Sequence, residues 1–479
     1  MRFRNLFFGA LAALALFFQS CTTTTGNDDS NLDLDNMTPE EFERLPLSIK
    51  ELLFTNFWLA VFYVNADKEL FDYDYYYQQG TSNGYAAERY DFPDVSYMYS
   101  TLSDNYTNYF SPTIAYAIMN RLIYSEEQAG IGVDFSEIPR NDCTGITFCN
   151  DSTILIFKHV YPGGPADKAG IKKGDTLYTI NGMVPRNEDQ YRKIENVFGI
   201  GEQIPFAIKR GEEIIQISVT FDTFFTPTVF VDEEDGIPVI TITEFSDTTY
   251  LASGTYGEFV EALKQTKDAE ATIIDLRGNP GGSTDHCINM TAELLPKNDT
   301  VITMITHDID SLTEMAYIDT STYIAKEDGI GAGRYYVILA DSGSASCAEL
   351  MIAGTVSSTK SPIVGLTTYG KGIGQYYFMT LAEGLTGVTS MRILDKNGRT
   401  YHKYGIVPDF EEPDADKAMA KAVELAHEKK AVRTQGYGTT DLGHFTLAKS
   451  RSGKVLERGG AYKVFRDPHK ILQKAVPSR

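Results

Sequence analysis

Apolar residues at Leu52, Leu53, Phe54, Phe57, Trp58, Val61 and Phe62 recur at helical spacing, which predicts an amphipathic helix. It lies in a tyrosine- and phenylalanine-rich stretch from about Thr38 to Pro139, where Tyr73, Tyr75, Tyr76 and Tyr77 read as packing residues rather than as a peptide groove. From about Gly145 to Phe221 the pattern changes to short strands separated by turn residues, with Pro165 and Gly170 framing a short helix. From Ile237 the signals alternate. Val239–Ile242, Thr272–Asp275 and Tyr335–Ala340 read as strands, Ser253–Lys264 as a helix with Phe259, Val260 and Leu263 inward, and a further helix begins at Ser346. Such alternation predicts an α/β core with parallel strands.

The amino terminus is of another kind. Arg2 and Arg4 precede an apolar run from Leu6 to Phe18, then Gln19-Ser20-Cys21. About 13 apolar residues cannot cross a hydrocarbon core of roughly 30 Å, so the segment reads as a secretory signal. A small residue before Cys21 reads as a lipobox, with Cys21 the lipidated first residue and Thr22 to Asn36 a flexible tether. The expected location is the bacterial cell envelope, lipid-anchored, at the outer membrane and facing the periplasm or the cell surface.

A chain of 479 residues, 42% apolar, is too long for one core and predicts two or three domains. The net charge of -22 argues against nucleic acid as a partner. Ala431 to Arg479 carries ten Lys/Arg against three Asp/Glu, a local +7 that leaves -29 on the rest, and reads as a solvated extension. Cys143 and Cys149 are close enough in sequence to bridge a short loop, a pairing left open.

The chemistry resides in four motifs. Gly343-Ser344-Ala345-Ser346-Cys347-Ala348-Glu349 places Ser346 25 residues before Lys371 of Thr368-Tyr369-Gly370-Lys371-Gly372-Ile373-Gly374-Gln375. Upstream stands Ile273-Ile274-Asp275-Leu276-Arg277-Gly278-Asn279-Pro280-Gly281-Gly282, downstream Gly405-Ile406-Val407-Pro408-Asp409. A serine hydroxyl needs a proton acceptor to attack a carbonyl, and a lysine serves only when neutral. Lowering its pKa to near 7 disfavours the cation by about 4 to 5 kcal/mol, which burial supplies, so Lys371 is expected buried and without a carboxylate partner. Ser344 is the rival nucleophile, and the spacing favours Ser346. A helix starting at Ser346 would aim the Cys347 N–H at a developing oxyanion, joined by an N–H of Gly281 or Gly282. His286, His307 and His402 lack comparable context and read as surface or core residues.

Together the motifs resemble the carboxyl-terminal processing (tail-specific) proteases, peptidase family S41, over roughly residues 90 to 430. Val160-Tyr161-Pro162-Gly163-Gly164-Pro165 through Gly174-Asp175 and Ile180-Asn181-Gly182 resemble a PDZ domain, with Gly145, Ile146, Thr147 and Phe148 as the implied loop for a peptide's carboxylate. Leu102 to Pro112 resembles the segment that leads into this second domain. The resemblance implies a multidomain α/β protein with a crotonase-like layered core, its last helix from Asp416 to about Lys429. The implied boundaries are 1–21 signal peptide, 22–37 tether, 38–139 N-terminal helical region, 140–225 PDZ domain, 226–429 peptidase core and 430–479 basic extension. The implied function is a serine endopeptidase cleaving exported polypeptides near apolar C-termini, with Gln375 orienting Lys371 and no metal or other cofactor. The other reading is a catalytically silent peptide-binding lipoprotein. Two departures from the family pattern, Cys347 and Ala348, are both small residues.

Overall fold

The computed structural model describes residues 127–139, 153–309 and 316–429 throughout, residues 93–100 and 104–116, and single positions at 44, 47, 51, 52, 55, 59, 62, 63 and 102. The signal segment with Cys21, the tether, Tyr73 to Tyr77, Cys143, Cys149, the loop Gly145–Phe148 and the basic extension lie outside the described residues.

A six-stranded sheet forms the centre. In spatial order its strands are Phe410–Glu411, Ile363–Gly365, Tyr335–Ala340, Ala271–Asp275, Ile237–Ile242 and Val229–Glu234, parallel except for the last pair. Ala271–Asp275 is buried at every position, as a parallel strand covered on both faces must be. One face, with Ile240, Ile274 and Ile338, packs under the helices Gly254–Gln265, Thr284–Ala292 and Cys347–Thr359. The other, with Val239, Ile273 and Val337, packs on Ala418, Ala422 and Leu425 of the helix Ala415–Glu428. Alternating strands and helices thus resolve into layers around a parallel sheet.

A second sheet runs Asn108–Phe110, Leu385–Leu394, Thr300–Ile309 and Ala316–Ile324, with Ile373–Met379 also pairing Leu385–Leu394. It matters because Ile373–Met379 carries Gln375, and the strand at Asn108 brings in the turn just before it.

The small β-rich region is an antiparallel sheet of Val133–Pro139, Thr153–Val160, Thr176–Ile180, Gln203–Arg210 and Glu213–Thr220, closed by the helices Pro165–Ala169 and Glu188–Glu195. Gly170 ends the first helix at φ 88°, the left-handed cap its sequence position predicts. The sheet takes in Val133–Pro139, ahead of residue 140, and the turn entering it is Gly130-Ile131-Gly132.

This sheet docks on the central one through His159. Its Nδ1 lies 3.3 Å from Asp134 and its Nε2 3.1 Å from Asp232 on the central-sheet strand, while its ring stacks on Phe230 at 4.4 Å. Lys173 and Lys158 reach the same Asp232 at 2.5 and 3.5 Å. Burial alone would push the imidazolium pKa down, but the bonds to Asp134 and Asp232 outweigh it and raise it above the ordinary 6.5. A raised pKa contributes stability that is fully present below 6.5 and lost as pH rises through the folded-state value. His159→Gln is therefore expected to lose about 1 to 2 kcal/mol of unfolding free energy at pH 5.5 in urea titrations, and clearly less at pH 8.5.

Candidate active site

Ser346 is the residue before the helix Cys347–Thr359 and holds φ 54° and ψ -112°. A non-glycine residue there costs about 1–3 kcal/mol and persists only when its surroundings enforce it. They do. Glu349, one turn into the helix and fully buried, accepts the Ser346 N–H at 3.0 Å. The same carboxylate accepts the Lys371 N–H at 2.7 Å, the Gly370 N–H at 2.7 Å and the Thr368 hydroxyl at 2.5 Å. One side chain thus ties the backbone of the expected nucleophile to that of the expected base. Burial pushes its carboxyl pKa up, against the four donors that favour the anion.

The Lys371 loop is held from behind by the fourth motif. Thr368 accepts the Ile406 N–H at 2.7 Å and donates its own N–H to Ile406 at 3.2 Å. Gly405, at φ 72°, sits so close that a Cβ would lie 2.2 Å from the Thr368 carbonyl oxygen. Lys371 itself is half-buried and has no carboxylate at ion-pair distance among the described residues. Burial lowers its amine pKa, with Cys347, Asp104 and Glu349 pulling the other way. Its Nζ lies 5.1 Å from the centre of the Tyr106 ring. Among the described residues no hydrogen bond joins it to Ser346 Oγ; catalytic bonds of this kind commonly tighten only when substrate is bound.

Gln375 follows on the next strand, and its amide donates to Thr389 Oγ1 at 3.3 Å, across the pair Gln375↔Thr389. That bond fixes the side chain without charging a neighbour.

The rival Ser344 is fully buried and engaged in two directions. Its hydroxyl donates to the Leu276 carbonyl at 2.8 Å and accepts the Asp341 N–H at 2.9 Å. It functions as a strut between the two turns, which also meet where the Ala345 N–H donates to the Asn279 carbonyl at 2.9 Å.

Gly281 and Gly282 differ in a way their sequence does not reveal. Gly281 lies against the serine, since a Cβ there would stand 2.8 Å from Ser346 Cβ, but its N–H donates to Asn279 Oδ1 at 2.8 Å. Asn279 is fully buried and anchored by its own amide to the Ile242 carbonyl at 2.9 Å. Gly282 packs on Phe245, whose carbonyl oxygen would lie 2.1 Å from an added Cβ. The Cys347 thiol, nearly fully buried, donates to the Gly282 carbonyl at 3.3 Å and so links the helix start to the glycine turn.

His286 accepts the Tyr256 N–H at 3.0 Å, with burial lowering its pKa, and His402 lies tilted against Tyr106 at 6.4 Å between ring centres, with burial lowering its pKa as well. Glu349, Asn279 and Tyr106 are the site residues that sequence reasoning missed. For Glu349 a signal existed, because Ser346-Cys347-Ala348-Glu349 has the Ser-x-x-Glu spacing of a capping box.

Comparison with known proteins fits this arrangement. Residues 236–412 match the model of peptidase family S41, and residues 156–194 that of a PDZ domain. The carboxy-terminal processing protease CtpA of Bacillus subtilis is 29% identical over 326 residues, covering 67% of this chain and 64% of that protein. A probable CtpA-like serine protease of Staphylococcus saprophyticus is 28% identical over 289 residues, covering 58% and 56%. The matched region thus spans less than two thirds of these relatives' own lengths. A solved photosystem II D1 C-terminal processing protease, 18% identical, covers 81% of this chain and 99% of its own with a TM-score of 0.45, too distant a likeness to bear on the argument.

Proposed function

Because residues 236–412 are a family S41 peptidase domain and residues 156–194 a PDZ domain, we propose that the protein is a serine endopeptidase that cleaves polypeptides near their carboxyl ends through an acyl-enzyme on Ser346. Lys371, as the free amine, takes the Ser346 proton while Oγ attacks the scissile carbonyl, then delivers it to the leaving amine; water releases the acyl group by the reverse sequence. Gln375 keeps the lysine side of the site polar without adding a charge. The oxyanion is received by the Cys347 N–H and an N–H of the glycine turn. Of the two candidates Gly282 is favoured, since the Gly281 N–H is already engaged by Asn279.

The observation that carries this reading is the buried Glu349 carboxylate, which binds the N–H groups of Ser346 and Lys371 together and holds Ser346 in a strained conformation. A silent peptide-binding protein would have no use for that strain. The PDZ domain would capture an apolar carboxyl terminus or gate the site. The finer architecture belongs to the same proposal: a crotonase-like core, a helical amino-terminal region, and the boundaries at 140, 226 and 430. So does the location, a lipid anchor at Cys21 that holds the enzyme at the cell envelope with exported polypeptides as substrates.

The test uses the soluble form beginning at Thr22 with an unfolded protein bearing an apolar carboxyl terminus. Cleavage is expected from the wild type and from Ser346→Ala it is expected to fall to background, a loss of at least about a thousandfold. Equal product patterns from both forms would move the assignment to a binding scaffold.

A further inference from the structure

The turn before the strand Asn108–Phe110 lies more than 230 residues ahead of Ser346 and Lys371 in the chain, yet it covers the Lys371 amine. Asp104 builds it, accepting the Tyr106 N–H on Oδ1 at 2.9 Å and the Thr107 hydroxyl on Oδ2 at 2.5 Å. Thr107, fully buried, in turn accepts the Thr389 N–H at 3.0 Å, and Thr389 is the residue that receives the Gln375 amide. The Tyr106 hydroxyl lies near the side chain of Tyr369, two residues before the lysine, and burial together with that neighbour raises its pKa. The ring is therefore fixed at its backbone by Asp104 and lies with its face toward the lysine loop.

We propose that Tyr106 is a positioning residue for the base, its ring face steadying the ammonium that forms when Lys371 takes the serine proton. The proposal rests on the Ser346–Lys371 reading above. Its physical logic is one of magnitude. A carboxylate against the amine would hold it charged at rest and leave no base, whereas a ring face attracts a cation only weakly and can favour the transient ammonium without making it permanent. The other charged or titratable groups facing the amine are Asp104 on the same turn and Cys347 and Glu349 on the helix, while His402 flanks the ring. The two carboxylates, Asp104 bonded within its turn and Glu349 to four donors, act on the amine from beyond ion-pair distance, whereas the Tyr106 ring lies 5.1 Å from it.

The rate at which a fluorophosphonate labels Ser346, followed from pH 5 to 10, reads the base without requiring a substrate. Tyr106→Leu keeps the cover and removes the ring. It is expected to slow labelling between about twofold and thirtyfold and to move the rising limb to lower pH by about half a unit to one and a half units. Pentafluorophenylalanine at position 106, which keeps the shape but reverses the charge of the ring face, is expected to do the same, and it serves if the leucine variant does not fold. Tyr106→Ala admits water to the amine and should move the limb to higher pH; Tyr106→Phe should recover most of the rate. Wild-type rates and limbs from both the leucine and the fluorinated variants would overturn the proposal. Labelling unaffected by Lys371→Ala would instead overturn the dyad on which it rests.

Discussion

Lys371→Ala is expected to lower the rate of peptide cleavage by about a hundredfold to ten-thousandfold, the range that a positioned general base supplies. Lys371→Arg should be as inactive, because a guanidinium does not give up its proton in a protein. Both substitutions leave Glu349 its backbone donors at Ser346, Gly370 and Lys371, so the loss is one of chemistry rather than of architecture. In the wild type the activity should rise with pH on a limb below the ordinary lysine value of 10.5, since burial lowers the amine pKa. The same shift has a stability counterpart. A lysine whose folded pKa is depressed binds its proton more readily when unfolded, so the buried amine destabilises the fold near neutral pH and the penalty fades as pH approaches 10.5. Lys371→Met should therefore be inactive but more stable than the wild type at pH 7, with the advantage shrinking by pH 10 in urea titrations.

Glu349→Ala is expected to damage fold and activity together. It strands the N–H groups of Ser346, Gly370 and Lys371 and the Thr368 hydroxyl in a buried site. At about 1–3 kcal/mol for each unsatisfied group, the loss should be roughly 4 kcal/mol or more in unfolding free energy. Without the carboxylate the Ser346 N–H loses the partner that holds it at φ 54°, so cleavage should fall toward the level of Ser346→Ala. Glu349→Gln is nearly as severe, because its amide sets hydrogen-bond donors against donors. A variant that kept both wild-type stability and wild-type cleavage would remove Glu349 from the account.

The candidate site came from the resemblance of four motifs to a known family, which brought a serine, a lysine and a glutamine into one proposed locus, whereas the predicted strand Tyr335–Ala340 and the helix from Ser346 stand where the sequence pattern put them. Such features are local, determined by the pleat of a buried strand and by the start of a helix. What escaped was non-local or a matter of which partner a backbone group chooses. Gly281 and Gly282 are equivalent as letters, and only the placement of Asn279 Oδ1 against one N–H distinguishes them. Tyr106 reaches Lys371 because Asn108–Phe110 pairs with Leu385–Leu394, a contact across more than 270 residues that no periodicity encodes. Spacing already disfavoured Ser344, but that its hydroxyl is engaged by the Leu276 carbonyl and the Asp341 N–H was not readable from the sequence.

The central claim, that Ser346 is a nucleophile activated by Lys371, is tested most directly by treating the soluble protein with a fluorophosphonate and mapping the adduct by peptide mass spectrometry. The account predicts a single adduct on Ser346 in the wild type and its near disappearance in Lys371→Ala. An adduct on Ser344, or labelling of Ser346 that is indifferent to Lys371, would contradict it.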